Sequence, residues 1–250
     1  MEHFLSASKT IDAEQPVRLG RRYEQIRHAA RDLLFGRALI AGSNSQEVAL
    51  TFDDGPNEPY TLRLLDLLDR YGVQATFFLI GSFVRRRPDI VRAIRQGGHH
   101  LGNHTMTHPS LLWERPSRVR KELVDCNTAI EDATGEAIEW FRPPFGGRRP
   151  DVLHTAAELG LTPVMWNVWG HDWDAVQSQS VAASIQEGIQ HNQRRHRGSN
   201  VLLHDGGHLQ MGTDRSITLA ATQSLVQAWT GSGLRLVTLD VWRRQDLAVS

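Results

Sequence analysis

The chain has 250 residues, 40% of them hydrophobic and 22% charged, which is enough apolar material for the core of one large α/β domain. Lys plus Arg and Asp plus Glu each number 28, so the formal charge is zero and no nucleic-acid partner is expected from bulk electrostatics. A single cysteine, Cys126, excludes an intrachain disulfide, and no run of about 18 apolar residues offers a transmembrane segment.

Residues 1–46 read as an N-terminal extension. Its one patterned stretch is Arg21-Arg22-Tyr23-Glu24-Gln25-Ile26-Arg27 followed by Ala29, Ala30, Leu33 and Leu34 at helical spacing, an amphipathic helix with an arginine-rich face. Such a helix suits the outside of the domain or an envelope surface. The start lacks the apolar core and small-residue cleavage site of a secretory signal, so a cytoplasmic protein is expected, envelope-associated if the true start lies upstream.

Residues 47–250 form the second unit, with no linker to divide it. A strand over 47–53 is followed by a helix over 60–71, a strand over 74–80, a helix over 88–96 stopped by Gly97-Gly98, and a strand over 99–103. Helix 117–133, strand 138–142, helix 151–159 and strand 162–168 continue the pattern. Helix 181–191, strand 200–204, helix 216–229 and strand 234–238 complete it. Seven βα repeats in one direction predict a parallel sheet, open or closed into a barrel. Cys126, set in Val124-Asp125-Cys126-Asn127-Thr128, reads as a small packed helix residue with no chemical role.

Polar residues that look out of place fall at strand ends. Asp53 and Asp54 end the first, His104 follows the third, Arg142 ends the fourth, Asp172 lies beyond the fifth, and His204 with Asp205 closes the sixth. In a parallel barrel these points share one mouth. One carboxylate and two imidazoles make a metal site, and adjacent aspartates let one bind while the other acts as a base. The spacing His104-x-x-x-His108 would put both imidazoles on one face of a helical turn. Asp-Gly-Pro by itself is also ordinary turn chemistry.

From about Glu47 to Thr238 the chain resembles the NodB-like polysaccharide deacetylases, carbohydrate esterase family four. The residues that carry the resemblance are Thr51-Phe52-Asp53-Asp54-Gly55-Pro56, His104-Thr105-Met106-Thr107-His108, Arg142-Pro143-Pro144-Phe145-Gly146, Asp172-Trp173 and Leu202-Leu203-His204. The resemblance implies a distorted parallel (β/α)7 barrel of the NodB-homology type. It makes Asp54, His104 and His108 ligands of one divalent ion, zinc by default, with Co2+, Ni2+ or Mn2+ able to substitute. Asp53 would be the general base and His204 the general acid, Arg142 would pair with Asp53, and Asp172 would orient His204. The backbone N–H of Phe145 would stabilise the oxyanion, while Trp173 and Leu202 would line the acetyl pocket. The implied reaction is removal of N-acetyl groups from an N-acetylglucosamine-containing saccharide of chitooligosaccharide or peptidoglycan type, with release of acetate.

Two positions depart from the family pattern. Trp169 stands where many members carry an acid, and Phe145 replaces a common Tyr. His99, His100, His171 and His208 have no matching role and read as loop or surface residues. Trp140, Trp166, Trp169 and Trp173 lie near the expected mouth, where aromatic faces can stack on sugars or simply pack. Trp113 is a rim contact or an apolar anchor. Competing readings are an O-acetyl esterase or a cyclic-amide hydrolase on the same fold and metal site, an iron(II) centre for oxygen chemistry, and a silent saccharide-binding module. Oligomeric state is left open.

Overall fold

The computed structural model describes residues 38–243. The amphipathic helix expected between residues 21 and 34 lies outside them. Eight strands are present among the described residues: β1 (Glu47–Gly55), β2 (Thr76–Leu79), β3 (His100–Asn103), β4 (Trp140–Phe141), β5 (Thr162–Pro163), β6 (Val168–Trp169), β7 (Ser199–His204) and β8 (Arg235–Leu236). All pair in parallel, in the order β5-β4-β3-β2-β1-β7-β6, and β8 attaches to the start of β1 where β2 has not yet begun. Helices α1 (Tyr60–Arg70), α2 (Gly81–Arg86), α3 (Pro88–Gln96), α4 (Pro116–Thr134), α5 (Pro150–Glu158), α6 (Ser178–Arg194) and α7 (Ser216–Trp229) lie in the connections that parallel pairing requires. Three of them, α3, α4 and α5, start with proline at the first helical position, where its missing N–H costs nothing. No helix among the described residues is long and apolar enough to cross a membrane.

β5 and β6 stand at opposite edges of the sheet, yet only residues 164–167 join them. Five peptide steps reach at most about 18 Å, so the sheet has to curl until its edges nearly meet. The result is a distorted (β/α) barrel left open between β5 and β6. Here the single strand expected over 162–168 divides in two. Pro163 has no N–H to donate, and side-chain amides take over from the ladder: Asn200 Nδ2 donates to Met165 O at 2.7 Å, and Asn200 N donates to Asn167 Oδ1 at 2.8 Å. Leu39, ahead of the expected boundary at 47, bridges to Val164 and exchanges hydrogen bonds with Pro163 O and Met165 N.

Alternation along the buried β1 divides its side chains between two layers. Val48, Leu50 and Phe52 join Phe77, Leu79, Val201 and Leu203 in the main core under the helices, each such burial being worth about 1.5–3 kcal/mol. Ala49 faces inward with Phe78, Trp140 and Val164. Cys126 is fully buried and burial pushes its thiol up to about 12, as suits a packed helix residue. His99 is not the loop or surface residue expected: it is buried, its Nδ1 accepts from Ala75 N at 3.2 Å, and burial brings its pKa down to about 4.

Candidate active site

Strict alternation would send the neighbouring side chains of Asp53 and Asp54 to opposite faces. A bulge between Asp53 and Gly55 prevents this: Asp53 pairs with Phe78 and Gly55 with Leu79, leaving Asp54 as the extra residue, in the left-handed region at φ 72°. Both carboxylates thus face one mouth. Gly55 is required there, since a Cβ would meet Asp205 Oδ2 at 2.3 Å.

The segment carrying the two histidines is not the helical turn anticipated. Left-handed residues at Thr105 (φ 66°) and His108 (φ 57°) fold it back on itself. Thr107 N donates to Glu122 Oε2 at 2.7 Å, and Asn103 Nδ2 to Leu123 O at 2.8 Å, so α4 holds the loop. The two rings end 4.8 Å apart. His104 Nε2 and His108 Nε2 lie 3.5 and 3.3 Å from Asp54 Oδ1.

These three residues are the one group among the described residues whose His and carboxylate atoms converge as a cation site, all within 4.8 Å of one another. Asp54 Oδ1 is buried with no hydrogen-bond partner. His104 Nδ1 is 2.8 Å from Arg142 O, so it carries the proton and Nε2 turns its lone pair to the cluster. Burial, aided by the neighbouring His104, brings His108 down to about 3 and keeps its ring neutral. Burial also works to raise Asp54, but the adjoining His104, with His204 and His108, holds its carboxyl well below the usual range. An ionised carboxylate, the neutral His108 ring, the Nε2 of His104 and an orphaned oxygen fit a divalent cation with N/O ligands.

Asp53 is held from behind. Arg142, fully buried inside the barrel, donates from Nη1 to Asp53 Oδ1 at 2.7 Å and to Thr51 Oγ1 at 2.8 Å, and its guanidinium lies 4.1 Å from the Phe78 ring centroid. Its remaining nitrogens reach Val164 O and Met165 O, so the same cation also spans the barrel's open side.

His204 is the register partner of Asp53 on β7, which places both on the inner face. Its Nδ1 is 2.9 Å from Asp172 Oδ1, while its backbone N and Thr218 Oγ1 both donate to Asp172 Oδ2 at 2.8 Å. Burial lowers the His204 pKa, but the charge and hydrogen bond of Asp172, reinforced by Asp54 and Asp53, outweigh it and push the imidazole up to about 9.

A cavity of about 590 Å³ is lined by Asp53, Asp54, His104, His108, Phe145, Trp173, Leu202 and His204. Arg142 and Asp172 stand behind it, so all ten residues singled out from the sequence converge. Trp166 lines the cavity, Trp140 packs in the barrel interior, and Trp113 is 85% exposed. Two residues to which the sequence reading gives no role also belong here, His208, which it reads as loop or surface, and Asp205 at the end of the strand. His208 lines the cavity, stacks on His108 at 4.7 Å and brings Nδ1 to 3.9 Å from Asp54 Oδ2. Asp205 is buried, accepts from Thr61 Oγ1 and holds Asn57 Nδ2 through its carbonyl; burial, with Asp54 nearby, pushes its carboxyl up to about 7. The signal for both was the run His204-Asp205-Gly206-Gly207-His208, with a second imidazole four residues on.

A family model described as polysaccharide deacetylase matches residues 41–164. A chitooligosaccharide deacetylase of Bradyrhizobium sp. (strain ANU 289) is 38% identical over 182 residues, covering 72% of this chain and 80% of its own. The structure of the peptidoglycan N-acetylglucosamine deacetylase Bc1960 superposes with a TM-score of 0.73 at 31% identity, covering 83% of this chain and 92% of the other. The wild-type CE4 family pseudoenzyme BA3943 from Bacillus anthracis gives the same TM-score at 26% identity, covering 82% and 68%.

Proposed function

The chain belongs to the polysaccharide deacetylase family, the family 4 carbohydrate esterases, and from that premise we propose that it removes N-acetyl groups from N-acetylglucosamine-containing saccharides in a metal-dependent hydrolysis that releases acetate. The observation that carries this reading is the convergence, in one cavity, of the Arg142-held Asp53 and the Asp172-held His204.

Asp54, His104 and His108 would hold the ion; zinc suits their N/O donor set, and cobalt, nickel or manganese could take its place. Bound there, a divalent ion supplies a Lewis acid that polarises an acyl oxygen and acidifies a water. Asp53, oriented by Arg142, takes a proton from the attacking water as its oxygen bonds to the acetyl carbon. The main-chain N–H of Phe145 donates to the carbonyl oxygen as it gains charge. His204 then gives a proton to the sugar nitrogen as the C–N bond breaks, so acetate and a free amine leave. Trp173 and Leu202 enclose the acetyl methyl group. An alkoxide leaving group needs that proton less than an amine does, so the attention given to His204 favours amide over ester substrates.

Silent saccharide binding, the alternative that the pseudoenzyme neighbour raises, leaves the paired base and acid without a purpose. The test is acetate release from N-acetylglucosamine oligomers, with O-acetylated xylan in parallel, by chelated, zinc-restored and Asp53→Asn protein. Acetate from the N-acetyl substrates, lost on chelation and in the variant, is expected. Zinc-loaded protein of verified metal content that releases none would overturn the reading. Release from the xylan alone would move the activity to esters.

A further inference from the structure

β6 carries Trp169 beside Leu202 of β7, its register partner, so the two side chains share the inner face on which the cavity opens. Because β6 is the edge of the sheet, Trp169 stays 44% exposed. From there exposure alternates: Trp169, His171 and Trp173 face solvent, while Gly170 and Asp172 are buried. The buried members hold the strip in place. Gly170 lies so close to α6 that a Cβ would meet Val181 Cγ1 at 2.8 Å, and Asp172 is tied to β7 and α7 through His204 and Thr218.

The three exposed rings form a row leading out of the cavity. Ring centroids are 5.3 Å apart from His204 to Trp173, 4.9 Å from Trp173 to His171 and 6.1 Å from His171 to Trp169. Trp169 Nε1 donates to His171 Nε2 at 2.9 Å, which spends the indole proton within the strip and puts the imidazole proton on Nδ1. His171 reaches this position only through a left-handed backbone, φ 53°, a conformation unfavourable for a residue with a Cβ. Neighbouring indoles that are half exposed also forgo burial that a core would reward. Both features become intelligible if a ligand covers the rings.

We propose that Trp169 and His171, continuing outward from Trp173, form a saccharide subsite that stacks a second sugar ring beside the one undergoing deacetylation; the class of ligand rests on the deacetylase reading. An indole whose N–H is already paired offers its π face, which matches the C–H face of a pyranose. His171 Nδ1–H is the donor for a ring hydroxyl. The backbone held by Gly170 and Asp172 is set before binding, which reduces the ordering cost.

The test compares parent, Trp169→Ala and Trp169→Phe full-length proteins with the monomer and tetramer of N-acetylglucosamine. On metal-loaded protein, Trp169→Ala is expected to raise the tetramer KM about tenfold, equivalent to about 1.4 kcal/mol, with kcat within twofold, and to erase most of the tetramer's advantage over the monomer. Trp169→Phe, which keeps a stacking face, restores most of it. Calorimetric titration of tetramer into metal-free protein gives a second readout that needs no turnover, with a tenfold weaker Kd expected for the alanine variant. A Kd within twofold of the parent, or parallel losses for monomer and tetramer, would overturn the subsite. If the parent releases no acetate from any N-acetyl saccharide, the deacetylase reading fails by itself. Calorimetry then still decides the subsite, which stands if tetramer binding depends on Trp169 and falls if the parent binds no tetramer.

Discussion

Replacing Asp172 with Asn removes one charge and almost no volume, so it isolates the electrostatics behind His204. In the parent protein the Asp172 carboxylate accepts from His204 N, His204 Nδ1 and Thr218 Oγ1. It is the largest of the influences that raise the imidazole, against burial, from 6.5 to about 9. An Asn amide turned to keep the first and third of these bonds sets its NH2 against Nδ1, which the imidazolium cannot tolerate. With burial then dominant, the pKa falls to 6.5 or below. At pH 8 the protonated fraction drops from about nine-tenths to a few per cent, a loss of about 30-fold in the available acid.

The assay is the pH profile of kcat/KM on an N-acetyl substrate between pH 5 and 10, paired with NMR titration of the His204 ring. The alkaline limb should move down by two or more pH units. The same change is visible in stability. A histidine whose folded pKa exceeds its unfolded value stabilises fully below about 6.5 and loses that contribution as pH rises through about 9; the shift corresponds to about 3 kcal/mol. Asp172, whose own carboxyl His204 and Thr218 hold below the ordinary range against burial, loses its contribution as pH falls below about 4. The stability gap between parent and variant should therefore peak between pH 4 and 6.5 and shrink toward pH 9. An alkaline limb within 0.3 units of the parent, with kcat/KM lowered evenly at all pH values, would refute the electrostatic account.

Asp53→Asn should lower kcat by about 100- to 10,000-fold while retaining bound metal, measured by acetate release and metal analysis; loss of metal as well would make Asp53 a ligand instead. Arg142→Met strands the Asp53 carboxylate in a buried site and should cost about 3–5 kcal/mol in urea unfolding, where a cost below 1 kcal/mol would mean that Asp53 finds another partner. Zinc at one hundred times its Kd should add about 2.7 kcal/mol of stability, raising Tm by about 5–10 °C. Asp54→Asn should abolish that rise in a calorimetric scan. Gly102→Ala puts a Cβ 2.4 Å from Phe78 Cδ1, against the ring that backs Arg142, and should cost about 1–3 kcal/mol by denaturant titration.

The candidate site was legible because its residues contradict their surroundings. Asp53-Asp54 at the end of an apolar strand, and His204 at the end of another, are groups that burial penalises, so chemistry was the economical reading of them. Periodicity located the helices, and α3 and α7 fall at the predicted residues. Short elements were harder. β4, β5, β6 and β8 have two residues each, too few for alternation to register. α2 follows β2 directly and is a helix of six residues, shorter than the two turns over which helical spacing can be read.

By itself, then, the sequence determined most of the βα order and the polar strand ends Asp53, Asp54, His104, Arg142 and His204, since these depend on local pattern and residue type, while Phe145, Trp173 and Leu202 came from the family resemblance. Tertiary structure decided where the barrel stays open, why Asp54 turns to the same side as Asp53, and how His208, Asp205 and the Trp169–His171 strip stand about the cavity. Each of those outcomes arises from a bulge, a left-handed residue or a contact between segments far apart in the chain, and such interactions leave no period along the sequence.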